Sequence, residues 1–220
     1  MTTAGLIAKK IGMTRMVDAD GHMTAVTLLQ VEPQKVTKVL SAERDGYNAF
    51  QIGYYSKAEK NLTKPDISRL RKANVQENFT RFKEFRLDAP TELSLGAPIE
   101  IETLDGVTAV DVTGVTKGRG FSGAHVRWNA AVGRMSHGSR FQRRPGSLGM
   151  RSTPGRVFKG RHQPGQYGNE QATIQNLEVL DLDKTNNVLA VRGSVPGHRD
   201  GFLIVKPSIK VKAAKPAATK

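Results

Sequence analysis

The chain has 220 residues, of which 34 are Lys or Arg and 20 are Asp or Glu, so its formal net charge is +14. Its length and its apolar content of 38% support one fair-sized domain or two small ones with a modest core. Cysteine is absent, which excludes disulfides, thiolate metal sites and cysteine nucleophiles. No window approaches the roughly 18 apolar residues of a membrane span, and no signal-peptide pattern is present. We therefore expect a cytoplasmic protein.

The first half of the chain reads mainly as β-strands. Apolar and polar residues alternate at 50–54, 99–102 and 110–112, and the pattern returns at 177–179. Turn signals separate these runs as hairpin loops do, namely the Asp-Gly pairs at 20–21, 45–46, 105–106 and 200–201 and the Asn-Asn pair at 186–187. The pattern predicts a mainly β fold with an antiparallel β-barrel body formed by residues 1–115 and 170–205.

One short helical insertion in the barrel is expected at residues 63–75. Thr63 is a candidate N-cap, Pro65 suits the first turn, and Asp66 suits the positive end of the helix dipole. Ile67 and Leu70 are spaced to share one face. The helix is therefore expected to pack its apolar side against the body.

The most unusual segment runs for 58 residues from Val112 to Asn169 without any Asp or Glu, while it carries 11 Lys or Arg and 12 of the 22 glycines. Charges of one sign repel, so this segment must be extended, solvated or neutralised by a polyanion such as nucleic acid. Its aromatic residues argue against simple disorder, and its Pro-Gly pairs at 145, 154 and 164 predict repeated turns. We expect residues 116–169 to form a long, basic, Gly/Pro-rich irregular finger, and residues 206–220 to form a flexible basic C-terminal tail.

Two other interpretations of this segment are a dinucleotide-binding site and a metal or catalytic site. The run GRGFSG at 118–123 matches the dinucleotide fingerprint, but no apolar helical pattern follows it and the next acid is Glu170. We therefore assign no cofactor, and interpret these glycines as places where the backbone approaches RNA closely. His125, His137 and His162 lack a local Cys or acid, so we predict no metal site and no catalytic residue, and interpret them as solvated or phosphate-contacting. Ligands supplied by the body stay open as an alternative.

Arginine and aromatic side chains are interleaved at 127–128 and 140–144. This mixture suits folded RNA, because guanidinium groups contact phosphates or stack on bases and rings stack on unpaired bases. For Trp128, a base contact and simple packing where the finger leaves the body are equal alternatives.

Several motifs in chain order carry a family resemblance. They are GLIAKKIGMT at 5–14, KGRGFSG at 117–123, RWN at 127–129, SHGS at 136–139, RPGSLG at 144–149, TPGRVFKG at 153–160, GQYGNE at 165–170 and LIVKP at 203–207. Together they resemble the bacterial large-subunit ribosomal protein L3 family over almost the whole chain. The resemblance implies a translation-protein type barrel on the outside of the large (50S) subunit, binding to 23S rRNA near its 3′ end, and a role in early subunit assembly. It also implies neighbouring ribosomal proteins L14 and L19 as partners.

The resemblance further implies that the finger reaches toward the peptidyl-transferase centre without taking part in its chemistry. The expected rRNA-binding residues are Lys117, Arg119, Arg127, Trp128, Arg134, His137, Arg140, Arg143, Arg144, Arg151, Arg156, Lys159 and Arg161. The expected finger tip comprises Ser147, Leu148, Gly149, Met150, Arg151, Ser152, Thr153 and Pro154. Some family members carry a methylated glutamine at the tip. This chain has Met150, Arg151 and Ser152 there, so we predict no such modification.

Two rival classes differ from this structural role. A free-standing basic RNA-binding or regulatory protein is the main alternative, and it would need a compact reading element such as a recognition helix, which is not evident. An enzyme would need converging acids, bases or nucleophiles, and the most unusual segment has no carboxylate. The sequence therefore favours a structural RNA-binding protein with no membrane and no small-molecule substrate among its partners.

Overall fold

The structure is a computed structural model that describes residues 5–17, 21–90 and 93–210. Contacts divide the chain into two compact units, of which one comprises residues 1–114 and 172–220 and the other comprises residues 115–171. We call the first unit the body and the second the basic unit. No helix within the described ranges has the length and apolar character needed to cross a membrane.

Strands dominate the described residues, which confirms the prediction of a mainly β protein. The first half contains β1 (Leu6–Val17), β2 (Met23–Gln30), β3 (Lys35–Leu40), α1 (Ala42–Asp45), β4 (Ala49–Ser56), α2 (Lys64–Lys72) and β5 (Phe79–Arg86). The second half contains β6 (Ala109–Val115), β7 (Gly120–Ser122), α3 (Ala124–Trp128), β8 (Gly165–Tyr167), β9 (Gln171–Asp183), β10 (Val188–Arg192) and β11 (Phe202–Pro207). Two 3-10 turns lie at Glu59–Asn61 and Ile101–Leu104.

Six strands of the body follow one another around a closed barrel in the order β1, β11, β6, β9, β10, β2. Leu6 lies opposite Val205 in the antiparallel pair β1–β11, and Lys9 lies opposite Gln30 in β1–β2. Alternate side chains of a strand point to one face, so period-two apolar residues line the interior. The buried residues contributed by the barrel strands include Leu6, Ala8, Leu29, Val110, Val112, Leu189, Val191, Leu203 and Val205.

Strands β3, β4 and β5 form a separate three-stranded antiparallel sheet with β4 in the centre. Phe50 and Phe85 stack within it, with ring centroids 5.5 Å apart, and both belong to the same buried cluster as the barrel residues. The alternation at 50–54 had correctly indicated a strand. It did not show that this strand lies outside the barrel, because period two reports a half-buried strand and not its partner.

Helix α2 begins after Thr63, as predicted, and ends at Lys72, before the expected limit of residue 75. The Thr63 hydroxyl contacts the Asp66 carboxylate at 2.7 Å and makes no hydrogen bond to the helix backbone. Leu70 is buried with Ala73, Val75 and Phe79 in a second apolar cluster. The helix therefore packs against the start of β5, which explains why Leu70 is apolar.

Some predicted turns differ in the structure. Asp45 and Gly46 end helix α1, and Gly46 adopts the left-handed conformation that ends helices. A hairpin turn was wrong there. Asn187 has a φ of 54° between β9 and β10, as a tight turn requires. Of the predicted C-terminal tail, Lys206 and Pro207 belong to β11, and residues 211–220 lie outside the described residues.

The buried side chain of Gln34 substitutes for a missing strand partner. Beyond the pairing of Lys9 with Gln30, β2 has ended, and the backbone of Ile7 would be left without a partner on that side. The Ile7 N–H donates to the Gln34 Oε1 at 3.0 Å, and Gln34 Nε2 donates to the Ile7 carbonyl at 3.2 Å. Gln34 is only 1% exposed. One side chain thus satisfies both backbone groups of Ile7 beyond the end of β2.

We predict that Gln34→Ala lowers the free energy of unfolding by about 2–4 kcal/mol, because it leaves the buried N–H and carbonyl of Ile7 without partners. Gln30→Ala, at an exposed position at the end of β2, should change it by less than about 0.5 kcal/mol. Urea unfolding followed by circular dichroism measures both values. Equal destabilisation by the two substitutions would contradict the role assigned to Gln34.

Candidate nucleic-acid interface

The two ends of the basic unit are joined by a short hydrogen-bonded ladder. The Thr116 N–H donates to the Glu170 carbonyl at 2.9 Å, and the Asn169 N–H donates to the Thr116 carbonyl at 3.2 Å. The Arg119 N–H donates to the Tyr167 carbonyl at 2.8 Å. Strand β7 then pairs antiparallel with β8, with Gly120 opposite Tyr167. The irregular chain therefore leaves and re-enters through one paired ribbon, which fixes its base.

Gly168 is required at this ribbon for two separate reasons. Its φ is 70°, in the left-handed region that favours glycine. In addition, a Cβ atom at Gly168 would lie 2.0 Å from the Lys117 carbonyl oxygen. The two backbone segments approach each other here too closely for any side chain, so the glycine fixes their spacing.

A clamp formed by α3 and residues 162–163 lies beyond the ribbon. The rings of Trp128 and His162 stack with centroids 4.4 Å apart and an interplanar angle of 6°. Trp128 Nε1 donates to the Gln163 carbonyl at 3.0 Å, and Arg127 donates to the same oxygen at 3.3 Å. The Arg127 guanidinium carbon lies 4.9 Å from the Trp128 ring centroid. These contacts close the loop between residues 128 and 162. The outgoing and returning segments of the basic unit are therefore joined twice, first at the ribbon and again at the clamp.

Trp128 therefore packs within the basic unit, and the residue remains 42% exposed. From the sequence, packing of Trp128 and contact of Trp128 with an RNA base were equal alternatives. The structure shows packing against His162, and the exposed part of the ring remains accessible to a partner. The helix that carries Trp128 was missed, because five residues are too few to show a 3.6-residue period.

Hydrogen bonds rather than an apolar core organise the rest of the loop. The Gly133 N–H donates to the Gln142 carbonyl at 2.8 Å, and Gln142 Nε2 donates to the Met135 carbonyl at 3.1 Å. A guanidinium N–H of Arg161 donates to the Ser147 carbonyl at 2.9 Å. These bonds define local turns and leave almost every side chain on the surface.

Of the three Pro-Gly turns predicted for this loop, the one at Pro154 is confirmed by a turn at residues 152–154, the one at Pro145 shows only a glycine with a positive φ, and the one at Pro164 is wrong. Gly146 and Gly155, which follow Pro145 and Pro154, have φ values of 71° and 67°. Gly165 instead begins strand β8. A Pro-Gly pair is a local signal, and the pairing of Gly165 with Ser122, 43 positions away in the chain, overrides it.

All of the predicted binding residues lie in the basic unit, and their side chains are displayed to solvent. Of this set, only Arg127 is half-buried. The exposed members are Lys117, Arg119, Trp128, Arg134, His137, Arg140, Arg143, Arg144, Arg151, Arg156, Lys159 and Arg161. At the tip, Leu148 and Pro154 are half-buried, whereas Ser147, Gly149, Met150, Arg151, Ser152 and Thr153 are exposed.

The basic unit contains one carboxylate, Glu170, beside its eleven Lys and Arg residues. The body, by contrast, pairs many of its charges. Lys184 Nζ lies 2.6 Å from Asp105, and this hydrogen bond lowers the pKa of the Asp105 carboxyl below its usual value. Arg192 contacts Glu178 at 2.9 Å. Charge balance in the basic unit must come from another molecule or from dissolved ions.

The basic unit also exposes an unusual amount of apolar surface. Ten of the fifteen most exposed large apolar side chains in the described part of the chain lie there, including Phe121 at 81% and Met150 at 74%. Guanidinium groups lie over several rings, for example Arg119 over Tyr167 at 5.0 Å and Arg156 over Phe158 at 5.6 Å to the centroid. Flat groups and positive charge thus share one surface, which is the composition expected for contact with RNA.

The three histidines of this unit do not share one environment. His137 is exposed, as interpreted from the sequence, and its backbone has a φ of 56°. His125 is half-buried, and its Nδ1 atom has no hydrogen-bond partner, whereas His162 is exposed and stacks on Trp128. Contact of these histidines with phosphate stays a prediction. Throughout the residues that the structure describes, no three His, Asp or Glu side chains form a group suited to a metal ion.

A β body that carries a unit of unpaired cations is typical of a protein that associates with nucleic acid. Sequence comparison identifies the family. The family model described as "Ribosomal protein L3" matches residues 102–188. The large ribosomal subunit protein uL3 of Pelobacter propionicus is 43% identical over 206 residues, covering 94% of this chain and 98% of the relative. The proteins of the same name from Alkaliphilus metalliredigens and Fervidobacterium nodosum are 42% and 43% identical, with 94% and 93% of this chain and 98% of each relative covered. The chain belongs to the uL3 family of large ribosomal subunit proteins.

We predict that Gly168→Ala opens the ribbon of the basic unit, whereas Gly138→Ala does not. Both glycines have a φ of 70°, so both substitutions add a similar backbone strain. Only at position 168 would the new methyl group meet backbone, since nothing lies within 4 Å of a Cβ at Gly138. Hydrogen exchange at the amides of Thr116 and Arg119 should accelerate by about tenfold or more in Gly168→Ala alone. Equal exchange in both variants would show that the close approach does not matter.

Proposed function

We propose that this chain is a structural constituent of the large ribosomal subunit that binds 23S rRNA near its 3′ end and assists early subunit assembly. Membership of a ribosomal protein family makes it a structural protein rather than an enzyme. The observation that carries the rRNA proposal is the display of eleven cations beside a single carboxylate in the basic unit. A ribosome in the cytoplasm is the proposed location.

The proposed mechanism is neutralisation of closely spaced phosphates. The exposed arginines and lysines of the basic unit contact phosphates, and each contact releases counterions from the RNA. Arginine suits this task because its guanidinium group is always charged and can bridge two oxygen atoms. The proposed contacts are those of Lys117, Arg119, Arg127, Trp128, Arg134, His137, Arg140, Arg143, Arg144, Arg151, Arg156, Lys159 and Arg161.

The two units have different roles in this proposal. The barrel of translation-protein type, residues 1–115 and 170–205, docks on the subunit surface. Residues 116–169 act as the finger that follows rRNA inward. Turns at glycine and proline support this role, since an irregular chain enters a crevice narrower than the roughly 10 Å diameter of a helix. The ribbon and the clamp support it too, because they order the base of the finger and so reduce the entropy lost on binding.

The tip of the finger, residues 147–154, is proposed to approach the peptidyl-transferase centre without contributing a catalytic group. Met150 is 74% exposed, and Arg151 is exposed beside it. The Met150 thioether presents apolar surface to the RNA and the Arg151 guanidinium presents charge, where a glutamine would present an amide. No glutamine is present in the tip, so the glutamine methylation of some relatives has no acceptor in this segment.

Neighbouring ribosomal proteins, with L14 and L19 proposed among them, form the second class of partner. Support comes from exposed apolar side chains on the hairpin formed by β1 and β2. Met13, Val17 and Met23 are 53%, 64% and 71% exposed. Apolar surface of this kind is more typical of a protein contact than of a phosphate contact.

We predict that the double variant Arg143→Gln, Arg144→Gln binds a 3′ fragment of 23S rRNA with a weaker salt dependence. Two lost phosphate contacts should reduce the slope of log affinity against log salt concentration by about 1.4–1.8. Filter binding over a series of potassium chloride concentrations measures this slope. The matched control is Arg143→Lys, Arg144→Lys, which keeps both charges and should keep the slope. An unchanged slope in the glutamine variant would contradict phosphate neutralisation by this pair.

A further inference from the structure

An aromatic cluster in the body combines three rings with two cations. Tyr54 and Tyr55 of β4 both contact the ring of Phe202 in β11, with centroids 5.3 Å and 5.2 Å away. The Arg81 guanidinium carbon lies 5.2 Å from the Phe202 centroid and 5.6 Å from that of Tyr55. Lys57 Nζ lies 5.2 Å from the Tyr55 centroid. Rings and positive charges therefore meet on one surface.

Two consecutive residues of a regular strand cannot contact the same ring in this way, because their side chains point to opposite faces. Tyr55 does so because its own backbone turns, with a φ of 60° in the left-handed region. The register continues on both sides, with Tyr54 opposite Arg81 and Ser56 opposite Phe79, so no residue is inserted. The left-handed conformation of Tyr55 thus brings the second tyrosine to the cluster.

This conformation is unfavourable for a bulky residue, and residues of this kind are held in place by their surroundings, often at binding sites. Here the Thr80 hydroxyl donates to the Tyr55 carbonyl at 2.9 Å, which holds the turned residue. Tyr55 and Phe202 are half-buried, so the cluster is held rigidly and still has accessible surface. Tyr55 thus keeps an unfavourable backbone conformation that pairing of β4 with β5 does not itself require.

The two cations of the cluster are exposed, and neither has a carboxylate within 4 Å among the described residues. Other cations of the body do have such a partner, for example Lys35 with Glu77. Asp200, the acid nearest in sequence to Phe202, is paired with Lys9 at 3.5 Å. Arg81 and Lys57 are therefore available to bind an anionic group.

We propose that Tyr54, Tyr55, Lys57, Arg81 and Phe202 bind an unpaired nucleotide of RNA, with its base stacked on the Tyr55 ring and its phosphate contacted by Arg81 and Lys57. Single-stranded RNA is recognised by this combination of ring and cation, because every base has a flat face and every nucleotide a negative charge. The identification of this RNA as 23S rRNA rests on the proposed function. The site itself is formed by the body alone and shares no residue with the basic unit.

Cross-linking of the full chain to 23S rRNA with short-wavelength ultraviolet light tests the site. Trypsin cleaves after Arg44 and Lys57, so residues 45–57 are released as one peptide that contains Tyr47, Tyr54 and Tyr55, and fragmentation of this peptide in the mass spectrometer assigns an adduct to one tyrosine. We expect a nucleotide adduct on Tyr54 or Tyr55 in this peptide. Arg81→Gln should reduce its yield by about fivefold or more, because the nucleotide loses its phosphate contact. The matched control is Arg86→Gln, since Arg86 lies on the same strand over a different ring, that of Tyr47 at 4.7 Å, and should leave the yield unchanged.

Two results would overturn the proposal while leaving the proposed function intact. The first is an unmodified 45–57 peptide in a sample in which peptides of the basic unit carry nucleotides. The second is an equal yield in Arg81→Gln and Arg86→Gln. If Tyr55→Leu then lowers the melting temperature, the cluster serves only to hold the three-stranded sheet against β11. A chain with no cross-linked peptide at all would overturn the proposed function together with this site.

Discussion

Electrostatic repulsion among its own cations limits how the basic unit can fold. Eleven cations and one carboxylate occur between Val115 and Gln171, so ion pairs between side chains cannot hold this segment together. Its order comes from interactions that do not need opposite charge, namely the Thr116–Glu170 ladder, the stacked rings of Trp128 and His162, and the close approach of strands at Gly168. Few side chains are buried, because a core would require the cations to desolvate. The unit consequently presents its charge outward, where a polyanion can bind it.

The body is stabilised in a different way, by burial of apolar side chains. Its barrel and three-stranded sheet share one buried apolar cluster, and several of its surface charges form ion pairs. Burial of apolar surface is the dominant favourable term in folding and does not depend on a partner. Where β2 ends beside β1, the Gln34 side chain supplies the hydrogen bonds to the backbone of Ile7. The body thus has a buried apolar core of its own, whereas the basic unit exposes most of its side chains.

The sequence predicts local features well and contacts between distant residues poorly. The mainly β character, the start of α2 after Thr63 and the charge of the basic unit were all readable, since period two, capping residues and composition are local signals. The separate sheet of β3, β4 and β5 was not, because alternation does not specify which strands pair. The stack of Trp128 on His162 and the turned backbone of Tyr55 depend on partners far away in the chain. The individual RNA contacts remain predictions, since exposure and charge show that a residue is available and not what it binds.

The chain belongs to the uL3 family of large ribosomal subunit proteins, and we propose that its β body and its basic unit bind the same ribosomal RNA. The most direct test is salt-graded co-sedimentation of the tagged full chain with ribosomal subunits from a cell extract. The account predicts retention on the large subunit through a high-salt wash at about one copy per particle, because many phosphate contacts and the surrounding RNA act together. Loss at modest salt, or sedimentation away from the large subunit, would contradict it and indicate a dispersed basic RNA-binding protein.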